Sequence, residues 1–298
     1  MTASARPAAA PRPLKPLKGV RVVSLALNLP GPAALVRLQG MGATCVKVEP
    51  PAGDPMRHYS AQAYAEMHQG IKVMSADLKT PAGQARLGRE LAKADVLLTS
   101  FRPSALVKLG LDWKTLKRQY PALSLVEVVG APGPRAEEPG HDLTYQADAG
   151  LVSGLTLPPS LLADMGGSLM ASEAVLQAVL AQRSGGKGVR LEVALSDAAD
   201  WLAKPHQWGL TVPGSVLGGA HAGYKIYPCK DGRVALAALE PHFAAALCAA
   251  VGCPMPDVAA LFKPETHQAV ATFLAGKTRK QLDRLAVAKD IPLHTMPA

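Results

Sequence analysis

Two short segments hold the side chains best suited to moving a proton. Gly140-His141-Asp142-Leu143-Thr144-Tyr145 presents a histidine, and Leu161-Leu162-Ala163-Asp164-Met165-Gly166-Gly167 presents an aspartate just before a glycine pair. Glu240-Pro241-His242-Phe243 adds a third candidate. Histidine titrates near neutral pH without perturbation, and an aspartate is tuned by burial and by neighbouring charge. Two such groups suit a reaction that needs a base on one side of a carbon and an acid on the other. Each also has an ordinary reading when taken alone. Asp164 is then a helix N-cap, His141 a loop or satisfied core histidine, and Glu240 a surface acid at a strand end.

Composition narrows the setting for that chemistry. The chain has 298 residues, 48% of them hydrophobic, enough for a large core and for two domains. It lacks an apolar run of the roughly 18 residues that a membrane-spanning helix requires, and its N-terminus lacks a secretory signal pattern, so a cytoplasmic protein with no membrane partner is expected. The formal charge is +9, from basic residues spread along the chain rather than gathered in one stripe, and only 4% of residues are aromatic. A nucleic-acid partner is not expected from that pattern; an anionic small ligand is. Met1 to Lys18 is rich in Ala and Pro, contains four basic residues and no acid, and reads as a disordered basic tail. Cys45, Cys229, Cys248 and Cys253 show no two-residue spacing of a zinc or redox motif, which suits reduced structural thiols. No metal site is expected.

The elements that must position the candidate residues alternate between strand and helix from Gly19 onward. Val20 to Leu25 reads as a buried parallel strand, Ala33 to Gln39 as the body of a helix started by Pro30-Gly31-Pro32, and Thr44 to Glu49 as the next strand. Pro81 to Ala94, opened by Thr80 as N-cap, and Val96 to Thr99 form a second unit, and Leu123 to Val129 a further strand. This repetition predicts an α/β doubly wound sheet with its ligand at the carboxyl ends of the strands. The first strand is not followed by a Gly-x-Gly-x-x-Gly fingerprint, so a nicotinamide cofactor is not expected. A helix over Ser168 to Arg183 and a strand over Val189 to Leu195 complete the large domain. Residues 204–223 read as a linker. Tyr224 to Cys229 and Arg233 to Leu239, around Asp231-Gly232, read as a hairpin that begins a smaller α+β domain. The expected division is thus a tail over 1–18, a large domain over 19–203, a linker over 204–223 and a small domain over 224–298.

Many weak signals in one order resemble the class III CoA-transferase family. They include Leu17-Lys18-Gly19-Val20-Arg21-Val22, Pro30-Gly31-Pro32, Gly53-Asp54-Pro55-Met56-Arg57, Asp77-Leu78-Lys79, Phe101-Arg102-Pro103 and Leu109-Gly110-Leu111, and continue through Arg183-Ser184-Gly185-Gly186-Lys187-Gly188. The Gly140-His141-Asp142 run is closest to the family's α-methylacyl-CoA racemase branch. The resemblance implies a Rossmann-like large domain that binds CoA, a small domain and an interlocked homodimer. It also implies a coenzyme A thioester as substrate with no prosthetic group.

On that resemblance His141 and Asp164 are the two proton carriers at a thioester's α-carbon, Glu240 hydrogen-bonds one of them, and Asp142 is structural. Arg102, Arg57, Tyr145 and Gly166 are the expected CoA contacts, with Gly166 allowing close approach of the ligand to the backbone. The alternative is a CoA transferase in which Asp164 attacks the acyl group to form an acyl-enzyme; a second alternative is a non-catalytic relative. Pro50 stands where the family commonly has a basic CoA contact, and Gln69-Gly70-Ile71-Lys72 replaces the family's usual Arg-Gly-Lys-Arg. Weak CoA binding follows as an expectation, as does the absence of a C-terminal segment returning to the large domain.

Overall fold

The computed structural model describes residues 14–254 and 257–298. They fall into two units, one ending at Ala203 and the other beginning at Lys204.

In the first unit the chain runs β1 (Arg21–Ser24), α1 (Pro30–Gly40), β2 (Thr44–Glu49), α2 (Met56–Tyr59), α3 (Ala61–Met67), β3 (Lys72–Ser75), α4 (Pro81–Leu91) and β4 (Val96–Thr99). It continues with α5 (Pro103–Lys108), α6 (Trp113–Gln119), β5 (Ser124–Val129), α7 (Asp142–Asp148), α8 (Leu162–Gly185), β6 (Arg190–Ala194) and α9 (Leu195–Gln207). The six strands form one sheet in the order β3-β2-β1-β4-β5-β6, and every pairing is parallel. Alternation along the strands feeds two cores. Val22, Val96 and Leu98 face a cluster with Leu35 and Leu38 of α1 and Val175 and Val179 of α8. Val23 and Leu97 face the other, with Leu87 and Leu91 of α4 and Leu106 of α5. The order reverses between β1 and β4, the switch point where the ends of adjacent strands diverge and leave a crevice.

The expected helix over Ser168 to Arg183 begins earlier, at Leu162, so Gly166 and Gly167 lie inside α8 rather than in a loop before it. The reason is packing against α9. A Cβ on Gly167 would sit 2.3 Å from Leu195 Cδ2, and one on Gly166 would sit 3.0 Å from Leu202 Cδ1. Strand β3 was not expected; it begins beside Ile71, which stands where the family's usual run has a basic residue and is buried in the core. Most of the supposed N-terminal tail, residues 1–13, lies outside the described residues. Lys15 to Lys18 are folded: Leu17 is buried and its N–H donates to Met41 O at 3.0 Å.

In the second unit β7 (Tyr224–Cys229), β8 (Gly232–Ala237), α10 (Pro241–Val251), α11 (Pro264–Ala275), α12 (Arg279–Lys289) and β9 (Leu293–Met296) follow in order. The three strands make an antiparallel sheet in the order β7-β8-β9. The two-residue turn is Lys230-Asp231, with Cys229 paired to Gly232. Gly232 is required by close approach instead, since a Cβ there would meet Met296 O of β9 at 2.2 Å. Residues 204–223, expected as a linker, hold the end of α9 and a 3₁₀ turn at Val216–Gly218, and His221 and Ala222 are buried. The four cysteines are free thiols, and burial pushes Cys45 up to about 12. No helix among the described residues is long and apolar enough to cross a membrane.

Candidate active site

A cavity of about 520 Å³ opens at the switch point. The turn after β1 (Leu27 to Pro30), the turn after β4 (Ser100 to Arg102) and the end of β5 form part of its wall. Leu27 N–H donates to Ser100 Oγ at 3.2 Å, tying the first two turns together. The remaining wall comes from the segment leading into α7 and from the start of α8, and it brings His141, Tyr145 and Asp164 into one lining.

His141 is the exposed residue preceding α7. The Thr144 hydroxyl fixes its backbone, donating to His141 O at 2.7 Å and accepting its N–H at 3.1 Å. His141 itself is part of the cavity lining. Asp164 lies in the first turn of α8, so it is not the N-cap that the sequence suggested; Leu161 holds that position. Burial, with the nearby Asp142 carboxylate adding like charge, pushes the Asp164 carboxyl up to about 6. A carboxyl in that range exchanges protons near neutral pH, as an acid–base group requires.

Asp142, set aside as structural, contacts this machinery directly. It is buried, one carboxylate oxygen accepts the Asp164 N–H at 3.0 Å, and the other accepts from the Gln146 amide. The Asp164 N–H, one of the groups at the start of α8 without a partner within the helix, is therefore already occupied.

Tyr145 is seated by two glycines. A Cβ on Gly130 would lie 2.2 Å from its hydroxyl oxygen, and one on Gly140 would lie 2.5 Å from it. Burial raises the phenol above its ordinary value, and the Asp164 charge adds to the effect. Arg102 precedes α5 and lines the cavity from an exposed position.

Two expected CoA contacts, Gly166 and Arg57, do not line this cavity. Gly166 is on the α8 face packed toward Ala198 and Leu202. Arg57 pairs with Glu49 at 3.2 Å and with the Tyr64 hydroxyl at 2.5 Å, its guanidinium 4.1 Å from the Tyr64 ring centre, and it does not line the cavity. Glu240 belongs to the second unit, immediately before α10.

Beneath the cavity wall, Lys47 and Asp54 form a fully buried ion pair, with His68 Nε2 2.9 Å and Glu49 Oε1 3.4 Å from the Lys47 ammonium. Glu49, Asp54 and His68 are close enough to one another to share a cation. The Lys47 ammonium supplies it. Asp54 also accepts the N–H groups of Asn28 at 3.0 Å and Met56 at 2.9 Å, two residues of the cavity lining. Asn28 was not anticipated as a site residue.

Residues 17–296 match a family described as CoA-transferase family III. The chain belongs to CoA-transferase family III. Among the relatives of this family member, a cinnamoyl-CoA:phenyllactate CoA-transferase from Clostridium sporogenes is 33% identical over 61% of this chain and 49% of its own length. The human α-methylacyl-CoA racemase is 28% identical over 89% of this chain and 73% of its own. A crystallised hypothetical protein of Mycobacterium tuberculosis superposes with a TM-score of 0.81 at 27% identity, covering 96% of this chain and 86% of its own. The chain spans about half the length of the first two curated relatives it matches. The family III relatives thus include both transferases and racemases.

Proposed function

We propose that this protein is an acyl-CoA enzyme that removes and returns the α-proton of a 2-methylacyl-CoA, with His141 and Asp164 as the two proton carriers. The observation that carries this reading is the presence, in one cavity lining, of a histidine and an aspartate whose carboxyl is pushed up to about 6. An α-proton beside a thioester is weakly acidic, so its removal calls for a base on one face and a proton donor on the other. At pH 7 a carboxyl with such a value is mostly ionised yet roughly a tenth protonated, so it can serve in either direction. In one direction Asp164 takes the proton and His141 returns one to the opposite face; in the reverse direction the roles exchange. Asp142 would hold Asp164 through its backbone, and Arg102 would meet an anionic part of CoA. Glu240 would complete the site by hydrogen-bonding a proton carrier. No metal, nicotinamide or prosthetic group is needed for this step.

The expected assembly is a cytoplasmic homodimer, and the expected CoA affinity is low because Pro50, Gln69 and Ile71 replace polar or basic contacts.

A second reading is favoured by the relatives, several of which are named as CoA-transferases. In it the Asp164 carboxylate attacks the thioester carbonyl and CoA leaves as its thiol. The CoA thiolate then attacks the aspartyl carbonyl of the acyl-aspartyl anhydride and releases the donor acid; an acceptor carboxylate displaces CoA from Asp164 as a second anhydride, and CoA attacks the acceptor's carbonyl, which frees Asp164 and leaves the acceptor as its CoA thioester. Incubation with a 2-methylacyl-CoA in deuterated water separates the two. Label at the α-carbon without an acceptor acid supports proton transfer. A hydroxylamine-trapped adduct on Asp164, with CoA moving to a free acid and no α-label, supports the transferase instead.

A further inference from the structure

We infer that Asn28 sets which acyl groups the cavity accepts, by hydrogen-bonding a hydroxyl substituent on the acyl chain. The inference rests on the reading that this cavity receives the acyl part of a thioester.

Asn28 stands in the turn between β1 and α1, at the switch point. Its φ is 63°, and only one other non-glycine among the described residues, Asp290, has a positive φ. Asp290 has an ordinary reason, since it ends α12 in the left-handed conformation. Asn28 ends no helix; it precedes α1. Left-handed backbone is unfavourable for most side chains but is tolerated by asparagine, so the residue type suits the turn. The surroundings here are specific. Asp54 accepts the Asn28 N–H, and Asp54 is itself fixed by the buried Lys47 ammonium. The backbone is held from below while the residue lines the cavity above.

The side chain is unusual as well. Among the described residues, four buried side-chain polar atoms lack a hydrogen-bond partner: Arg21 Nε, Asn28 Oδ1, Gln146 Oε1 and Arg279 Nε. In three of these residues another atom, or the same one at longer range, is engaged: Arg21 with Glu90, Gln146 with Asp142 and Ser160, Arg279 with Asp231. The Asn28 side chain makes no hydrogen bond among the described residues. Buried polar groups are nearly always paired, so a buried Oδ1 left without a partner on a residue of the cavity wall calls for a functional reason.

A hydroxyl supplies the complementary chemistry, because it both donates and accepts, as does an amide whose terminal torsion turns readily. Leu29, Met56, Leu161 and Leu195 give the same cavity hydrocarbon walls. A plain alkyl chain placed there leaves the amide unpaired; a hydroxylated chain satisfies it. A site built to bond a substrate hydroxyl rejects the analogue lacking it far more strongly than an apolar pocket rejects an added hydroxyl.

The test compares two thioesters of nearly equal shape, 2-methyl-3-hydroxybutyryl-CoA and 2,3-dimethylbutyryl-CoA, by calorimetric binding to the full chain and to Asn28→Gly. Glycine keeps the left-handed backbone and deletes only the amide. The wild-type protein is expected to bind the hydroxylated thioester roughly 10–100-fold more tightly, and Asn28→Gly to bring the two within about threefold by weakening the hydroxylated one alone. Equal binding by the wild type, or an unchanged preference in Asn28→Gly, overturns the inference. Deuterium exchange read in parallel keeps the two readings apart. Selectivity without α-label removes the proton-transfer reading and leaves the role of Asn28 standing; α-label without selectivity does the reverse. Failure of both thioesters to bind overturns both.

Discussion

Asp142 accepts the backbone N–H of Asp164 at 3.0 Å, which anchors the start of α8 and sets one carboxylate beside another. Burial is the larger reason that Asp164 stands above its ordinary value, and the Asp142 charge is the second. Asp142→Asn keeps a carbonyl oxygen for the N–H and deletes the charge. The Asp164 carboxyl is then expected to titrate lower, since a like charge disfavours ionisation. Carbon-13 NMR titration of the Asp164 carboxyl checks this; an unmoved midpoint would leave burial as the sole cause.

The same raised carboxyl makes stability depend on pH. A group whose folded value lies above its unfolded value contributes stability that is complete below about 4 and is lost as pH rises through about 6. A shift of two units corresponds to nearly 3 kcal/mol, to be discounted because Asp164 is only half-buried. Asp164→Asn is therefore expected to be about 1–2 kcal/mol more stable than the wild type at pH 8 and about equal at pH 4. Urea unfolding at the two pH values reads the difference, and an Asn variant weaker at pH 8 would contradict it.

The two glycines that seat Tyr145 differ in a way that mutation can resolve. Beside Gly130 the sharpest conflict is with the hydroxyl oxygen, the ring carbon Cζ being 3.1 Å away; beside Gly140 the ring carbons Cε1 and Cζ are both 2.7 Å away. Each Gly→Ala change is expected to cost about 1–3 kcal/mol by overpacking. Tyr145→Phe should recover most of the loss in Gly130→Ala and little of it in Gly140→Ala. Equal recovery in thermal unfolding would show that the ring is seated otherwise.

The Lys47 and Asp54 side chains are both fully buried. Lys47→Met leaves Asp54 charged and unpaired in the core, with an expected loss of about 3–5 kcal/mol. Adding Asp54→Leu should fail to restore stability, because Asp54 also holds the N–H groups of Asn28 and Met56. Chemical denaturation of the single and double variants tests this, and full recovery in the double variant would reduce Asp54 to a mere counter-ion.

The parallel sheet was legible because its strands are short β-branched and leucine runs separated by breakers, and Thr80 before Pro81 marked a helix start that the structure keeps, with Thr80 Oγ accepting from Gly83 N–H. What escaped was tertiary in origin. Gly166 and Gly167 read as a loop because glycine is poor in helices, whereas their lack of a side chain is what lets α9 approach α8. Strand β3 has four residues in mixed polarity, and β9 is equally short. Both depend on pairing with strands distant in sequence. Among site residues, His141 and Asp164 stood out by chemical type. Asn28 did not, though an asparagine between two leucines just past the first strand is a signal for left-handed backbone at the switch point. Arg57 misled because a basic residue beside Gly53-Asp54 looked free, and its partner Glu49 lies eight residues back on β2.

In the proposed reaction His141 and Asp164 serve opposite faces of one α-carbon. Its most direct measurement is deuterium uptake at the α-carbon from each separate epimer of a 2-methylacyl-CoA, for the wild type, His141→Ala and Asp164→Asn. Both epimers should be labelled and interconverted by the wild type, and each variant should lose interconversion, with any residual exchange biased to opposite epimers in the two variants. Wild-type racemisation of both epimers by His141→Ala would rule out His141 as a proton carrier.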